Sequence, residues 1–306
     1  MLSRFTIHNE PLDIPVEATA DDLLKVLRAD LRLLADADAR ASDLERASIS
    51  GSEPGLYVSQ REYAVVPLSC GRIVGSDAAT TCHILIAVGM GKVLCTHLDG
   101  VAGQEAELQS VLLREFADAS EIDVHMVGGF HDDESTSWRL ALHLLGVWLA
   151  FSKASPETAI HLKTVQILDR NSRVETVRWR GRDQQTQGPI VRAMAYDTRD
   201  GRILLQRWFA DHGPDEMMRA IFCSFGRGSL RQAVDPATLA PLPIDPQKEI
   251  RWPKPSILNR LLGLTADEDF LEQTSTSPLV EHAEYATQVR EKFRWAIEFL
   301  RNRFGK

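Results

Sequence analysis

The alternation of apolar and polar residues near the start of the chain predicts one strand and one helix. Residues 4–8 (RFTIH) alternate in the manner of a half-buried β-strand. From Asp21, leucines recur at helical spacing behind two acidic residues, which predicts an amphipathic helix over residues 21–37. Between residues 41 and 55 the composition changes to Ser, Gly, Asp and Glu, which is typical of a loop.

The middle of the chain is dense in predicted strands. Apolar runs rich in β-branched residues predict strands at 56–66, 82–88, 92–98, 121–130, 160–169, 189–197 and 202–209. Two connections carry turn signals, Gly89-Met90-Gly91 and Asp200-Gly201, and each predicts a β-hairpin. Because hairpins pair their strands antiparallel, the pattern favours a largely antiparallel sheet.

Helical periodicity appears in four further segments. Helices are predicted over residues 102–119 and 135–151, after Gly213-Pro214-Asp215, and over residues 280–302, while the proline-rich segment 235–246 predicts an irregular loop. Strands and helices do not alternate regularly, so the expected fold is α+β: a mixed, largely antiparallel β-sheet flanked by helices, an α/β sandwich. We expect a single domain over residues 1–306, with a catalytic core at about 56–230 and residues 231–306 contributing to the site.

Composition excludes several classes of protein. The 306 residues are 44% hydrophobic and 25% charged, which is ordinary for a globular protein and excludes disordered, collagen-like and coiled-coil chains. The longest apolar run, residues 140–151, contains His143 and is shorter than the roughly 20 residues of a membrane span. The first residues resemble neither a signal peptide nor a transit peptide. We therefore expect a cytoplasmic protein without a membrane partner.

Charge is distributed unevenly along the chain. Residues 1–150 hold 11 Lys and Arg against 23 Asp and Glu, a net charge of −12, whereas the remainder holds 24 against 20, a net charge of +4. An acidic half repels a phosphate backbone, and the single basic triplet at residues 178–180 is a weak signal, so no nucleic-acid partner is predicted. Acidity suits a cationic ligand such as a free α-amino group, although acidic surface helices explain it equally well.

Cys82 is the first candidate for chemistry. It begins an apolar strand directly after the polar segment 75–81, where a thiol is placed as a nucleophile would be. His97 lies in the predicted hairpin partner and is the natural base for that thiol. A turn centred on Met90 sets Cys82 opposite about Leu98, next to His97. The alternative is that Cys82 is a small buried hydrophobic residue and His97 a satisfied edge residue.

The other cysteines are weaker candidates. Cys95 is the second choice, because it shares a strand face with His97, whereas Cys70 and Cys223 fit ordinary packing. No CxxC pair is present, so all four are expected to be free thiols. His83 follows Cys82 and, by strand alternation, is expected on the opposite face.

Metal and phosphate sites are not predicted. His97 with Asp99, and His125 with residues 131–133, are potential ligands, but no HExxH, HxH or Cys/His pair at zinc spacing occurs. The segment 89–92 lacks the frame of a phosphate-binding loop. We therefore expect no metal and no cofactor.

Five sequence blocks together resemble the protein N-terminal asparagine amidohydrolase family. They are LYVSQRE (56–62), GSDAATTCHI (75–84), THLDG (96–100), VHMVGGFHDD (124–133) and STSPLVE (275–281), in the order of the family. The resemblance implies hydrolysis of the side-chain amide of an N-terminal Asn to Asp, which in eukaryotes can be arginylated and then recognised as a degradation signal (an N-degron). It also implies that Cys82 is the nucleophile. The family is distantly similar to Cys-His deamidases, in which a downstream strand His serves the Cys, and His97 matches that role.

The resemblance also implies roles for polar residues within these blocks. An N-terminal Asn presents an α-ammonium, which a buried carboxylate would bind. An internal Asn has no such group and would leave the acid unpaired, which costs several kcal/mol of binding free energy. The candidates for this carboxylate are Asp77, Glu62 and Glu281. Ser76, Thr81 and Ser277 are expected to hydrogen-bond the carboxamide, with the Cys82 backbone N–H as an oxyanion donor.

The expected reaction is amide hydrolysis through a Cys82 thioester with His97 as acid and base. Its expected partners are proteins or peptides that begin with Asn. Two alternatives remain: a deamidase of internal Asn or Gln side chains, including a transglutaminating relative that uses an amine instead of water, and a non-catalytic protein that binds N-termini.

Overall fold

The computed structural model describes residues 5–7, 10–15, 17–30, 47–49, 55–282 and 284–304. Its strands are β1 (Phe5–Ile7), β2 (Glu10–Pro11), β3 (Ala47–Ile49), β4 (Gly55–Tyr57), β5 (Glu62–Pro67), β6 (Ile73–Ser76), β7 (His83–Gly89), β8 (Lys92–Leu98), β9 (Glu121–Gly128), β10 (Ala159–Ile167), β11 (Ser172–Trp179), β12 (Arg182–Pro189), β13 (Met194–Asp197), β14 (Arg202–Leu205), β15 (Arg207–Phe209) and β16 (Arg231–Gln232). Its helices are α1 (Ala20–Ala29), α2 (Gln104–Phe116), α3 (Thr136–Ala154), α4 (Glu216–Phe225), α5 (Pro255–Leu262), α6 (Asp267–Thr274) and α7 (Tyr285–Phe304).

The chain forms two compact units. The first comprises residues 1–173, 188–213 and 229–242, and the second comprises residues 174–187, 214–228 and 243–306. The expectation of a single domain with a contributing C-terminal portion stays a prediction.

An eight-stranded sheet is the centre of the first unit. Its strand order is β16-β5-β8-β7-β9-β10-β1-β2, with antiparallel pairing from β5 through β8 and β7 to β9, and parallel pairing of β9, β10 and β1. Apolar side chains alternate between its two faces, so each face buries a separate core. Mixed pairing and two covered faces confirm the predicted fold class.

Helices α1, α2 and α3 cover one face of this sheet. The helices contribute Leu24, Leu112 and Trp148 to a core completed by alternate strand residues such as Leu85. Helix α1 begins with a capping box in which Thr19 and Asp22 each hydrogen-bond the backbone of the other. The predicted helix over 21–37 is thus confirmed through Ala29, and residues 31–37 lie outside the described residues.

A four-stranded sheet covers the other face. Its order is β14-β13-β6-β4, and its residues Leu56, Val74 and Met194 pack with Ile84 and Ile86 of the central sheet. This second layer brings the end of β6 close to β8, which is the arrangement that positions the candidate site.

The second unit has its own apolar core. It consists of α4 to α7 and the β11–β12 hairpin over residues 174–187. Its buried side chains include Phe222, Leu258, Phe270, Phe293 and Ile297.

Several predicted elements differ from those observed. The predicted strand 56–66 is two strands in different sheets, β4 and β5, and the predicted strand 202–209 is divided at Gln206, whose φ is +55°. The strand at 4–8 is confirmed over residues 5–7, while residues 4 and 8, like most of the loop 41–55, lie outside the described residues.

Two hairpins and three helices agree with the predictions, whereas other elements were not predicted. Both predicted hairpins are confirmed, and the helices at 102–119, 135–151 and 280–302 correspond to α2, α3 and α7. Strand β6, the β11–β12 hairpin, α5 and α6 were not predicted from the sequence. Within the described residues, no helix is both long and apolar enough to cross a membrane.

Candidate active site

Cys82 lies between the eight-stranded and the four-stranded sheets of the first unit. Residues 77–82 connect the end of β6 in the second sheet to the start of β7 in the central sheet. The Ala79 N–H donates to the Arg192 carbonyl at 2.9 Å, and the Cys82 carbonyl accepts from the Gly129 N–H at 2.8 Å. The half-buried Cys82 side chain packs against the core between the sheets. The connection is therefore held at both ends.

The glycine pair after β9 is required for this close approach. Gly128 and Gly129 have φ values of +106° and +60°, a region that favours glycine. A Cβ at Gly128 would lie 2.3 Å from the Cys82 carbonyl oxygen, and one at Gly129 would lie 2.5 Å from Cε1 of His83. The pair lets the β9 end contact the backbone that carries Cys82.

Gly128→Ala is expected to lower the free energy of unfolding by at least about 2 kcal/mol, because it combines backbone strain with a backbone clash. Gly91→Ala is the matched control: its φ is +70°, but nothing lies within 4 Å of the added Cβ. The free energy of unfolding of that control should fall by about 1 kcal/mol, which is the cost of the left-handed conformation alone. Urea unfolding of both variants tests this, and equal losses would contradict the close-approach argument.

His97 faces the second sheet from β8. Its side chain is 3% exposed, and its Nδ1 lies 2.7 Å from Oγ of Ser76 at the end of β6. Its Nε2 has no hydrogen-bond partner among the residues the structure describes. Burial lowers the pKa of His97 to about 4, against a smaller opposing effect of Asp99 and Asp77. His97 is therefore neutral near pH 7, with one ring nitrogen held by Ser76.

The strand register places Cys82 and His97 on the same face. His83 pairs with Leu98, and Ile84 pairs with His97, so the expectation that Cys82 lies opposite Leu98 was wrong by one residue. Cys82 precedes the first residue of β7 and packs, with Ile84, against the core between the sheets, the side toward which His97 faces. The one-residue difference arises because the turn closes with Gly89 opposite Lys92.

His83 lies on the opposite face, as predicted. It is fully buried beside Gly129 and Ser137, and neither ring nitrogen has a hydrogen-bond partner among the described residues. Burial, with a smaller effect of His97, lowers its pKa to about 3. Cys95 is fully buried opposite Ile86, and burial raises its thiol pKa, which disfavours this second choice of nucleophile.

Asp77 is a buried carboxylate at the start of the same connection. Its side chain is 2% exposed, and Oδ2 accepts the Phe209 N–H at 2.9 Å. Oδ1 accepts no hydrogen bond from the residues that the structure describes. Nε2 of His212 lies 3.9 Å from Oδ2, and the His212 ring stacks on Tyr57 with centroids 4.2 Å apart. Neither Tyr57 nor His212 was predicted from the sequence as part of the site.

Glu62 has a different environment. Its Oε1 accepts from Nη1 of Arg231 at 2.8 Å and its Oε2 from the Ser59 N–H at 3.0 Å, and both charged side chains are buried. Arg231 also donates to the Leu242 carbonyl. The carboxylate is therefore already neutralised by an internal cation.

The remaining predicted residues fall in two places. Thr81 is buried within the connection, one residue before Cys82. Ser277 and Glu281 belong to the second unit, where Oε1 of Glu281 accepts from Ser275 and, at 3.1 Å, from Ser277. Across the described ranges, no group of three or more His, Cys, Asp or Glu side chains is placed to hold a metal ion.

Comparison with known proteins defines the family. The family model described as protein N-terminal asparagine amidohydrolase matches residues 45–303. Proteins of the same name from Mus musculus and Homo sapiens are 31% and 32% identical over 258 and 249 residues. These alignments cover 81% and 78% of this chain, and 76% and 74% of the relatives. A namesake from Arabidopsis thaliana is 26% identical, with 93% of this chain and 83% of the relative covered. The chain belongs to the protein N-terminal asparagine amidohydrolase family.

Proposed function

We propose that this chain hydrolyses the side-chain amide of an N-terminal Asn in proteins or peptides, giving N-terminal Asp and ammonia. The names of its relatives state this substrate, and family membership covers residues 45–303. The observation that carries the proposal is a half-buried thiol, Cys82, on the same sheet face as the Ser76-bound imidazole of His97. The buried carboxylate of Asp77 begins the connection that ends at Cys82.

In the proposed mechanism, His97 acts as a neutral general base. With its Nδ1–H donated to Ser76, the Nε2 lone pair accepts the Cys82 thiol proton as sulfur attacks the carboxamide carbon. His97 then gives that proton to the leaving nitrogen, and the C–N bond breaks to release ammonia and a thioester. Water, deprotonated by His97, attacks the thioester; the C–S bond breaks, the Cys82 sulfur takes back a proton, and the product leaves with the new Asp carboxyl.

Ser76 has a revised role in this proposal. Ser76 was expected to bind the substrate carboxamide, but its Oγ lies 2.7 Å from Nδ1 of His97. A hydroxyl at this position fixes the ring and its tautomer, as an orienting group does in other nucleophile–base pairs. Thr81 and Ser277 remain the proposed carboxamide contacts, and the Cys82 backbone N–H remains the proposed oxyanion donor.

Asp77 is the proposed acceptor of the substrate α-ammonium. It is buried and has an oxygen that accepts no hydrogen bond from the described residues, whereas both oxygens of Glu62 are engaged by Arg231 and Ser59. A buried carboxylate favours a ligand that brings a cation. Glu281 stays a further candidate for this role.

A panel of four peptides tests the proposed function. The purified chain is incubated with peptides that begin Asn, Gln, acetyl-Asn and Gly-Asn, and conversion of amide to carboxyl is followed by mass spectrometry and ammonia release. The free Asn peptide alone is expected to be converted rapidly. Equal conversion of the Gly-Asn peptide would instead indicate an internal deamidase, and binding without conversion would indicate a non-catalytic protein.

Asp77→Asn is expected to lower kcat/KM for the Asn peptide about 100-fold or more while acetyl-Asn, already poor, changes little. The reason is that the amide keeps the volume of Asp77 but removes the charge that pairs with the ammonium. The expected loss of transition-state stabilisation is about 3 kcal/mol. Asp197→Asn is the matched control, since it neutralises a buried carboxylate of the same sheet that pairs with Arg199. If Asp77→Asn keeps the wild-type preference for Asn over acetyl-Asn, the assignment of Asp77 is wrong.

A further inference from the structure

Asn171 is a fully buried amide that lies on neither β7 nor β8. It ends a short 3-10 helix, Leu168–Asn171, which follows β10. None of the five sequence blocks contains it, and no role was predicted for it from the sequence. Its side chain nevertheless hydrogen-bonds backbone groups on both sides of the Cys82 connection.

The Asn171 amide makes three hydrogen bonds to two separate loops. Its Nδ2 donates to the Gly129 carbonyl at 2.9 Å and to the Val191 carbonyl at 3.0 Å. Its Oδ1 accepts the Val191 N–H at 2.7 Å. Because two carbonyls require donors and one N–H requires an acceptor, only one orientation of the amide satisfies all three backbone groups. The backbone carbonyl of Asn171 also accepts the Ile190 N–H at 2.8 Å.

These two loops are the ones that hold the Cys82 connection. The Gly129 N–H donates to the Cys82 carbonyl at 2.8 Å. The carbonyl of Arg192, the residue after Val191, accepts the Ala79 N–H at 2.9 Å. Gly129 follows β9 of the central sheet, whereas Arg192 precedes β13 of the four-stranded sheet. A closed ring of hydrogen bonds therefore ties the connection to both sheets, with the buried amide as the link between the two loops.

We propose that Asn171 is a positioning residue for the Cys82 nucleophile. It fixes the backbone of residues 79–82, which carries the sulfur and the N–H proposed as oxyanion donor, relative to the imidazole of His97. The proposal rests on the proposed function, because it concerns the same nucleophile and base. Asn171 acts through Cys82 and needs no contact with substrate.

A displaced Cys82 is expected to affect the chemical step more than substrate binding. The reacting atoms must approach to about 3–3.5 Å, and a misplacement of about 1 Å costs on the order of 100-fold in rate. Asp77, the proposed acceptor of the α-ammonium, has a separate anchor, since its Oδ2 accepts the Phe209 N–H at 2.9 Å. Loss of the Asn171 amide should therefore lower kcat and leave KM close to the wild-type value.

Asn171→Ser tests this split, because serine removes the amide and leaves a small polar side chain. With the Asn peptide, kcat is expected to fall about 100-fold while KM stays within about threefold of wild type. Thr158→Val is the matched control: its buried hydroxyl donates to the Ala119 carbonyl at 2.7 Å, at the other end of β10. That control should lower the unfolding temperature and leave kcat unchanged. Rates are compared well below the unfolding temperature of every variant.

Gln206 provides a milder test of the same network. Its Nε2 donates to the Ile190 carbonyl at 2.6 Å and its Oε1 accepts the Arg192 N–H at 3.1 Å, so it holds the loop on either side of the residue that Asn171 binds. Gln206→Met keeps the length of this half-buried side chain and removes its amide. Its kcat should fall about tenfold with KM unchanged. If Asn171→Ser does not fold, an unchanged kcat in Gln206→Met overturns the proposal.

Alkylation of Cys82 separates positioning from stability and needs no substrate. Labelling of Cys82 by iodoacetamide is followed by peptide mass spectrometry in four chains: wild type, His97→Ala, Asn171→Ser and the double variant. In the wild-type background, His97→Ala should slow labelling about tenfold, because the imidazole accepts the thiol proton. In the Asn171→Ser background it should slow labelling by less than about twofold, since base and thiol are no longer aligned.

The outcomes distinguish the two proposals. If the wild-type chain converts the Asn peptide and a folded Asn171→Ser chain keeps kcat within about threefold, the positioning proposal is wrong while the proposed function stands. The positioning proposal is equally wrong if His97→Ala slows alkylation by the same factor in both backgrounds. If the wild-type chain does not convert the Asn peptide, the proposed function fails even where the alkylation cycle shows the expected coupling.

Discussion

Cys82→Ala is expected to reduce the rate of Asn-peptide deamidation by about 10⁴-fold or more. A covalent nucleophile has no substitute when its atom is removed, and losses of this size are typical of such enzymes. The change removes one half-buried sulfur atom from the edge of the core between the sheets, so the fold should persist. The measurement is the initial rate of ammonia release at equal protein concentration, with circular dichroism to verify the fold.

Other cysteine variants are the controls for this prediction. Cys82→Ser should be almost as inactive, because a hydroxyl is a far weaker nucleophile near neutral pH. Cys95→Ala should retain most of the activity, since this thiol is fully buried and burial raises its pKa. If Cys82→Ala keeps more than about a hundredth of the wild-type rate, Cys82 is not the nucleophile.

His97→Ala is expected to lower kcat about 10³-fold, because the general base for both half-reactions is lost. His97→Gln keeps a group able to hydrogen-bond Ser76 and should be equally inactive if proton transfer, and not ring packing, is what matters. His143→Ala is the control, because that imidazole is exposed and its Nδ1 pairs with Glu105. Substantial activity in His97→Gln would assign the proton transfer to another group.

The pH profile of kcat checks the same residue. Burial lowers the pKa of His97 to about 4, so the neutral base is present at pH 7 and is lost only as the pH falls through about 4. At saturating peptide, kcat should therefore stay level as the pH falls through 6.5, the ordinary pKa of His. A drop in kcat centred near pH 6.5 would show that the imidazole of His97 is not desolvated.

The sequence predicted the pairing of β7 with β8 because that information is local. Gly89 and Gly91 bound a tight turn, and alternation from that turn fixes which side chains of β7 and β8 share a face. The opposite placement of His83 follows from the same rule. The register itself was wrong by one residue, since a Gly-Met-Gly segment permits more than one closure of the turn.

The long-range partners were not predictable from pattern. Ser76 meets His97 because β6 belongs to a separate sheet layered on the first, and four residues of strand gave no periodic signal. Arg231 binds Glu62 from 169 positions away, a partner that the sequence did not indicate for this candidate carboxylate. Tyr57 and His212 come together only through the pairing of β4 with β6 and the course of the chain after β15. Such contacts depend on tertiary packing, on which a single sequence carries no direct information.

The Cys82 thioester is tested most directly by adding hydroxylamine to the Asn-peptide reaction and measuring the products by mass spectrometry. A thioester partitions between water and hydroxylamine, so part of the product should be the side-chain hydroxamate of Asp, increasing with hydroxylamine concentration while ammonia release continues. Neither product should form above background with the Cys82→Ala chain. Ammonia release with no hydroxamate at any hydroxylamine concentration, or hydroxamate formed equally by Cys82→Ala, would contradict the thioester mechanism.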